Sequence, residues 1–500
     1  MLILEMEKRS ENQILLGFIL FHLLVWTLAP TLTRLNLPLD TIEGTIWGKQ
    51  LAWGYDKNPF LSAWLTELAI LLDVSGGTTY LLSQISVITC FLSVWLLAKK
   101  MLPPLQALVS LLILEGIQFF NFHAIDFSDN TLELGCWGLT ILFFYYALTE
   151  NRMRDWMLTG FFAGLSMMTK YYSLLLLFSM LFFLLYNATA RQFFKKSEMY
   201  AGLGVFLIVI TPHCYWLITH HFTTLHYAFL RINVKHPSLW NHFVFPFKFL
   251  WEELQALFPA FLLLLLLFIG KKPLFEKQRI VLSAFNKEFL FFIALGPFLL
   301  TLLISLIAGI PLRAAWGQPL LSFWGILLVV FLQPRLTVKK VFLFFLSLLT
   351  LTAFSVLLYC DAQLNPKKPT SANFPGKIIA TTLTRLWHEK YHTPFAFVGG
   401  ERWLSGNISF YSLDNPSVFM DWDTLKSPWI QESILKQKGA IFVWNLSDFY
   451  HRPSLSYEEV KSRYPALSAP EIHHFMWYRN KNFPTFSMMV AYLPGEVDLT

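Results

Sequence analysis

Charged residues are scarce in this sequence. Asp, Glu, Lys and Arg make up 14% of its 500 residues, against about a quarter in a soluble globular chain. Apolar residues reach 55% and the mean hydropathy is +0.49. This deficit excludes a string of water-bathed domains and places much of the surface in lipid. Cysteine is scarce too. Cys90, Cys136, Cys214 and Cys360 are widely spaced and form no Cys-x-x-Cys pair, so no disulfide framework and no cysteine metal site is readable. There is no internal repeat and no low-complexity segment. The net charge of +7 does not imply nucleic acid, because the basic residues form no single patch. They sit in short clusters between apolar runs, which is a pattern of membrane topology. Glu5, Glu7, Lys8 and Arg9 precede the first apolar stretch, and no convincing small-residue cleavage site follows. That stretch therefore reads as a retained span.

What is present is a series of apolar runs. The first extends from about Gln13 to Leu32. Others lie near 77–98, 103–120, 129–148, 157–169, 171–187, 199–218, 254–270, 288–309, 318–333 and 341–359. At roughly 20 residues each, they predict about eleven transmembrane helices. Every second connection is basic: Lys8 and Arg9, Lys99 and Lys100, Arg152 and Arg154, Arg191 with Lys195 and Lys196, the cluster from Lys271 to Lys287, and Arg335 with Lys339 and Lys340. The positive-inside rule puts these connections and the N-terminus in the cytoplasm. The opposite connections are 33–76, 121–129, 219–253 and 309–317. Pro59–Leu72 is apolar but only about 14 residues long, too short to span, and predicts an interfacial or re-entrant helix. Composition changes near Asp361, where Pro366, Pro369 and Pro375 mark a linker. The expected organisation is a membrane domain over 1–360 and a small extracytoplasmic α/β domain over 361–500. Its strand-like runs are Phe395–Val398, Ile408–Tyr411 and Ala440–Trp444.

The first outer loop carries Asp40 and Glu43, three apart and hence on one face of a helix. A carboxylate there suits a general base for an incoming hydroxyl; a cap or a structural ion pair is the plainer alternative. Asp126 and Asp129 in the second outer loop repeat the spacing. They either orient a substrate, hold a divalent metal together with Asp40, or cap a helix, with Asp129 placed as an N-cap. His213, His220, His221, His226, His236 and His242 gather around one loop, but no His-x-x-x-His pair with a carboxylate appears, so they predict no metal site.

The stretch Asp40–Leu65 (DTIEGTIWGKQLAWGYDKNPFLSAWL) resembles the first-loop signature of the protein O-mannosyltransferase-like family. These are relatives of glycosyltransferase family 39 and include the lipid A aminoarabinose transferases. The family's Pro-Pro pair is here Asn58-Pro59. Gly160-Phe-Phe-Ala-Gly164-Leu-Ser-Met-Met-Thr-Lys170-Tyr171 is similar to the family's Gly-x-x-x-Gly-Leu-x-x-x-(Ser/Thr)-Lys-Tyr. The stretch from Phe127 to Trp137 is a weaker match. The resemblance covers about residues 12–330. It implies a GT-C fold with its active site at the outer membrane surface, and a polyprenyl-phosphate-linked sugar as donor. The acceptor would be a glycan, a lipid such as lipid A, or a protein.

By that resemblance Asp40 is the leading base, with Glu43 assisting. The implied reaction is a single displacement that inverts the anomeric centre, and its leaving phosphate needs a cation. Lys57 matches the family's first-loop lysine. Lys170, Arg231, Lys235 and Arg313 are further phosphate-binding candidates, each weighed against an ordinary solvated loop charge or, for Lys170, a snorkelling helix end. Trp53 and Trp316 are weighed as sugar-stacking residues against interface anchors. The implied setting is the cytoplasmic membrane of a bacterium, with the C-terminal domain in the periplasm. A transporter is the main rival, but no repeat supports it. An O-antigen ligase or polymerase is a second, yet its main outer loop lies late in the chain. A catalytically dead scaffold is a third.

Overall fold

The computed structural model describes residues 2–234, 236–268, 280–450 and 455–496. Among these, seven helices are long and apolar enough to cross a membrane: Glu11–Thr33, Gly77–Met101, Asp129–Glu150, Ser197–Thr219, Asn241–Leu266, Ala284–Ala308 and Val338–Leu364. Two bent pairs raise this to nine if each is one span. Pro104–Glu115 meets Gln118–Ala124 at 81°, and Ala314–Leu321 meets Trp324–Leu332 at 62°. The remaining apolar runs of the sequence, near 157–169 and 171–187, are the shorter helices Met153–Thr169 and Tyr171–Tyr186. The predicted short helix in the first loop is Leu61–Leu72. Aromatic and branched apolar side chains, among them Phe91, Phe120, Phe144 and Ile326, fill the interior of the bundle.

The C-terminal part is a small mixed sheet. Its strands are β1 (Phe397–Gly400), β2 (Ser417–Met420), β3 (Ala440–Asn445), β4 (Glu471–Phe475) and β5 (Phe486–Leu493). The order is β2-β1-β3-β5-β4, with β2, β1 and β3 parallel and the last two strands antiparallel. Two of the expected strands are present, as β1 and β3. The third, Ile408–Tyr411, is instead the end of a helix, Arg402–Tyr411. Leu404 and Ile408 are four apart there and face the core together, which is a helical period rather than a strand period.

This C-terminal helix joins the two parts of the molecule. One hydrophobic core contains Ile42, Ile46 and Trp47 of the first loop together with Val398, Leu404, Ile408 and Val443 of the sheet region. The first-loop helix Leu39–Gly48 lies between Leu61–Leu72 and Arg402–Tyr411. Glycines permit that closeness. A Cβ on Gly48 would stand 2.5 Å from the Ala63 carbonyl oxygen, and one on Gly406 would stand 2.7 Å from Ile42 Cγ2.

Candidate active site

The helix Leu39–Gly48 starts where Pro38 holds the chain extended (ψ 161°) and offers its carbonyl to the Ile42 N–H. Asp40 sits in the first turn, where the helix dipole favours a negative charge. Asp40 and Glu43 share one face, as their spacing predicts. Both meet Lys57, whose Nζ is 3.4 Å from Asp40 Oδ1 and 2.7 Å from Glu43 Oε2.

Lys57 is held by a tight loop rather than by a helix. The Tyr55 N–H donates to the Asn58 carbonyl, and Gly54 bridges to Pro59. Three side chains fasten the loop from outside. Trp64 Nε1 donates to the Ala52 carbonyl, and Thr224 Oγ1 to the Tyr55 carbonyl. His213 Nδ1 lies 2.6 Å from the Trp53 carbonyl and its Nε2 lies 2.5 Å from the Tyr171 hydroxyl. A carbonyl only accepts, so Nδ1 carries the proton and Nε2 accepts from Tyr171. His213 is thus a structural anchor of this loop.

The electrostatics follow from burial and neighbours. The Asp40 carboxyl is pushed above the usual carboxylate range chiefly by desolvation. Lys57 opposes this, while Glu43, Asp129 and Asp126 reinforce it. Its side chain nevertheless keeps 39% of its surface exposed, whereas Glu43 keeps 2%. Burial alone would lower the Lys57 ammonium, but Glu43, Asp40 and Asp129 outweigh it and hold the ammonium above its ordinary value. Lys57 is therefore a fixed cation, and Asp40 is the carboxylate of this pair that a substrate can reach. Asp40, Glu43, Lys57, Asn58, Ser128 and Asp129 all line one small cavity.

The other expected residues fall into distinct places. Asp129 is in the cluster, 3.2 Å from Lys170, which also bonds Asn130. It is not the N-cap: Ser128 caps the helix by accepting from the Thr131 N–H, and Asp129 is the first helical residue. Lys170 ends the helix Met153–Thr169 and lies 6.0 Å from the Trp316 ring centroid. Asp126 stands to one side, 3.9 Å from Arg34. Arg231 and Arg313 are exposed and near each other. Desolvation first, then the like charge of Arg231, lower the Arg313 guanidinium, and Tyr227 acts on both Arg313 and Lys57. Lys235 lies outside the described residues. No group of three or more His, Cys, Asp or Glu side chains suited to a metal occurs among the described residues. Trp53 packs against Phe60 and Trp64 at centroid distances of 5.0 and 4.7 Å, not toward the cavity.

Two charged residues joined to the site through Glu43, Arg402 and Asp56, escaped sequence reasoning, as did Arg34 beside Asp126. Arg402 reaches in from the C-terminal region, with a guanidinium nitrogen 2.5 Å from Asp56 Oδ2 and another 3.6 Å from Glu43 Oε1. It also lies over the Trp47 ring at 5.4 Å. Asp56 is its buried partner. Arg34 pairs with Asp126 and donates to Ser371 Oγ. The sequence signal for Arg402 was its place: a charged Glu401-Arg402 pair directly after an apolar strand ending in Gly399-Gly400.

Comparison with known proteins bears on the fold and on part of the sequence. Residues 57–216 match the family described as dolichyl-phosphate-mannose-protein mannosyltransferase. Over 185 residues the chain is 24% identical to the lipopolysaccharide core galacturonosyltransferase RgtA of Rhizobium johnstonii. That match covers 36% of this chain and 37% of the relative's length. Among solved structures, ArnT from Cupriavidus metallidurans bound to undecaprenyl phosphate superposes with a TM-score of 0.56 at 14% identity, over 97% of this chain and 98% of that one. ArnT in the apo state gives 0.52 at 13% identity, over 96% and 98%. The chain therefore has the GT-C fold of ArnT, and across residues 57–216 it carries the sequence pattern of the dolichyl-phosphate-mannose-protein mannosyltransferase family.

Proposed function

We propose that this protein is an integral-membrane inverting glycosyltransferase that moves a sugar from a polyprenyl-phosphate donor to an envelope acceptor. One observation carries the reading: a reachable carboxylate, Asp40, stands 3.4 Å from a half-buried Lys57, whose ammonium is held above its ordinary value, at the end of the bundle that bears the sheet. The donor class is supported by the solved ArnT structure that holds undecaprenyl phosphate. An acceptor in the lipopolysaccharide is supported by the relative named for that core.

The chemistry is one displacement. The acceptor oxygen forms a bond to the anomeric carbon while the bond from that carbon to the phosphate oxygen breaks. The acceptor's proton passes to Asp40, and the lipid phosphate leaves with its negative charge. Lys57 stabilises that developing charge from a fixed position. Arg313 and Arg231 stand ready for the phosphate on the Tyr227 side. Lys170 pairs with Asp129 at 3.2 Å, and Asp129 acts on Lys57 as well. Glu43 holds Lys57 in place and leaves Asp40 less strongly paired. The proposed location is a bacterial inner membrane, with the N-terminus cytoplasmic and the sheet domain periplasmic.

Purified protein in lipid nanodiscs, given a panel of undecaprenyl-phosphate sugars and delipidated lipopolysaccharide, tests this. Release of undecaprenyl phosphate with inverted linkage in the product is expected. Intact donors across the whole panel would overturn the reading.

A further inference from the structure

The second outer loop is fastened from inside the bundle. The helix Pro104–Glu115 breaks there and turns through 81° into Gln118–Ala124. Such a break frees backbone carbonyls in apolar surroundings, where each needs a donor. Side chains supply them. Asn121 Nδ2 donates to the Glu115 carbonyl at 2.7 Å, and Gln318 Nε2 to the His123 carbonyl at 2.9 Å. The Ala124 carbonyl accepts twice, from Ser83 Oγ at 2.6 Å and from Gln84 Nε2 at 2.9 Å. Asp126 and Asp129 follow at once in the chain. Ser128 and Asp129 line the small cavity that holds Asp40 and Lys57.

Gln84 is itself aimed by a buried pair. His22, Gln84 and Glu115 come from three different helices, and none is more than 3% exposed. His22 Nδ1 lies 2.6 Å from Glu115 Oε2, and its Nε2 lies 3.0 Å from Gln84 Oε1. Glu115 Oε1 accepts from Trp26 Nε1 and from Thr352 Oγ1. The donor types fix the protons. Gln84 gives its N–H to a carbonyl, so its oxygen faces His22, and Nε2 of the ring carries hydrogen. One further proton then lies between Nδ1 and Glu115 Oε2. On either atom it leaves the pair neutral overall, as suits a group inside a membrane bundle. Without that proton, the ring would donate from Nδ1 to the carboxylate and turn a bare Nε2 toward Gln84. The amide would then flip and set its oxygen against the Ala124 carbonyl.

We infer that His22 and Glu115 are positioning residues of the candidate active site: their shared proton aims the Gln84 amide, and Gln84 with Ser83 sets Ala124 and the acidic stretch Asp126–Asp129 that follows it. They act through the loop and touch no substrate. Stability alone does not require the pair, because apolar replacement of both members of a buried pair is often neutral or stabilising. That separates positioning from packing. The role in transfer rests on the transferase reading above.

The test uses the full chain in nanodiscs, with hydrogen exchange of the amides of 118–129 and single-turnover transfer from an undecaprenyl-phosphate sugar. Gln84→Met keeps the volume and loses the bond to Ala124. It should speed exchange in this loop about tenfold, the worth of one hydrogen bond, and slow transfer by a similar factor. The double variant His22→Leu with Glu115→Leu should keep the thermal midpoint of wild type and show the same two changes. Glu115→Gln can accept from Trp26 and Thr352 and donate to Nδ1, so it should exchange and transfer as wild type does. The inference falls if Gln84→Met and the double variant both leave loop exchange unchanged. It falls too if Glu115→Gln loosens the loop as much as Gln84→Met, or if the loop loosens while transfer stays at the wild-type rate. A wild type that transfers nothing overturns the transferase reading, and loop exchange still decides whether the pair sets the loop.

Discussion

Arg402→Met removes one cation from between two buried carboxylates. Asp56 and Glu43 side chains are 7% and 2% exposed, and Arg402 itself is 6% exposed. Removing one partner of a buried pair costs about 3–5 kcal/mol, mostly for the charge left behind. Glu43 keeps Lys57 at 2.7 Å, whereas Asp56 loses the partner at 2.5 Å. The lower end, about 3 kcal/mol, is therefore expected. Thermal unfolding of the detergent-purified protein should show a lower midpoint for Arg402→Met. Arg402→Met with Asp56→Asn should recover much of the loss, because the stranded charge is gone. The pH dependence has a definite sign. Desolvation already raises the Asp56 carboxyl, and Arg402 opposes it. Without Arg402 the folded protein binds that proton still more readily than the unfolded chain does, so stability of the variant rises as pH falls. A wild-type midpoint for the single variant, or a double variant that melts below it, would refute the reasoning.

Three further outcomes follow from the same geometry. Glu43→Gln removes a like charge beside Asp40 and leaves Lys57 to it, so the acid limb of the pH profile for kcat/KM should move to lower pH; a limb that moves up contradicts the assignment, given that Lys57, Glu43, Asp129 and Asp126 are the groups acting on Asp40. Lys57→Met should lower kcat about 10²–10³-fold, by analogy with loss of one donor to a developing oxyanion, and single-turnover kinetics with saturating donor separates this from weaker binding. Gly160→Leu should reduce the monodisperse folded fraction on gel filtration, because even a Cβ there would lie 1.9 Å from the Gly202 carbonyl oxygen of the adjoining helix Ser197–Thr219. Gly204→Ala, with nothing within 4 Å of the added carbon, is the tolerated control.

Local signals were legible in the sequence, and long-range ones were not. Asp40 and Glu43 declare their shared face by spacing alone, and Lys57 by its motif. The apolar runs locate the helices but do not separate a straight span from the pairs bent by 81° and 62°. Length and composition carry no information on such breaks. Ser128 took the cap expected of Asp129 because both residue types suit it, and the ion pair with Lys170 draws the aspartate elsewhere. Ile408–Tyr411 looked like a strand through its apolar content, but its period follows the Leu404–Ile408 face. Arg402 and Asp56 meet across 346 residues of chain, brought together where the helix Arg402–Tyr411 packs on Leu39–Gly48, with Gly406 against Ile42. The domain that sequence reading set apart thus supplies a charged residue of the site.

The central claim is that Asp40 takes the acceptor's proton. Its most direct test is single-turnover transfer from an undecaprenyl-phosphate sugar, wild type against Asp40→Asn, with matched thermal midpoints. A general base contributes about 10²–10⁴-fold, so the variant should lose transfer by that factor while still binding the carrier. Equal rates for the two proteins would show that Asp40 is a structural partner of Lys57 and not the base.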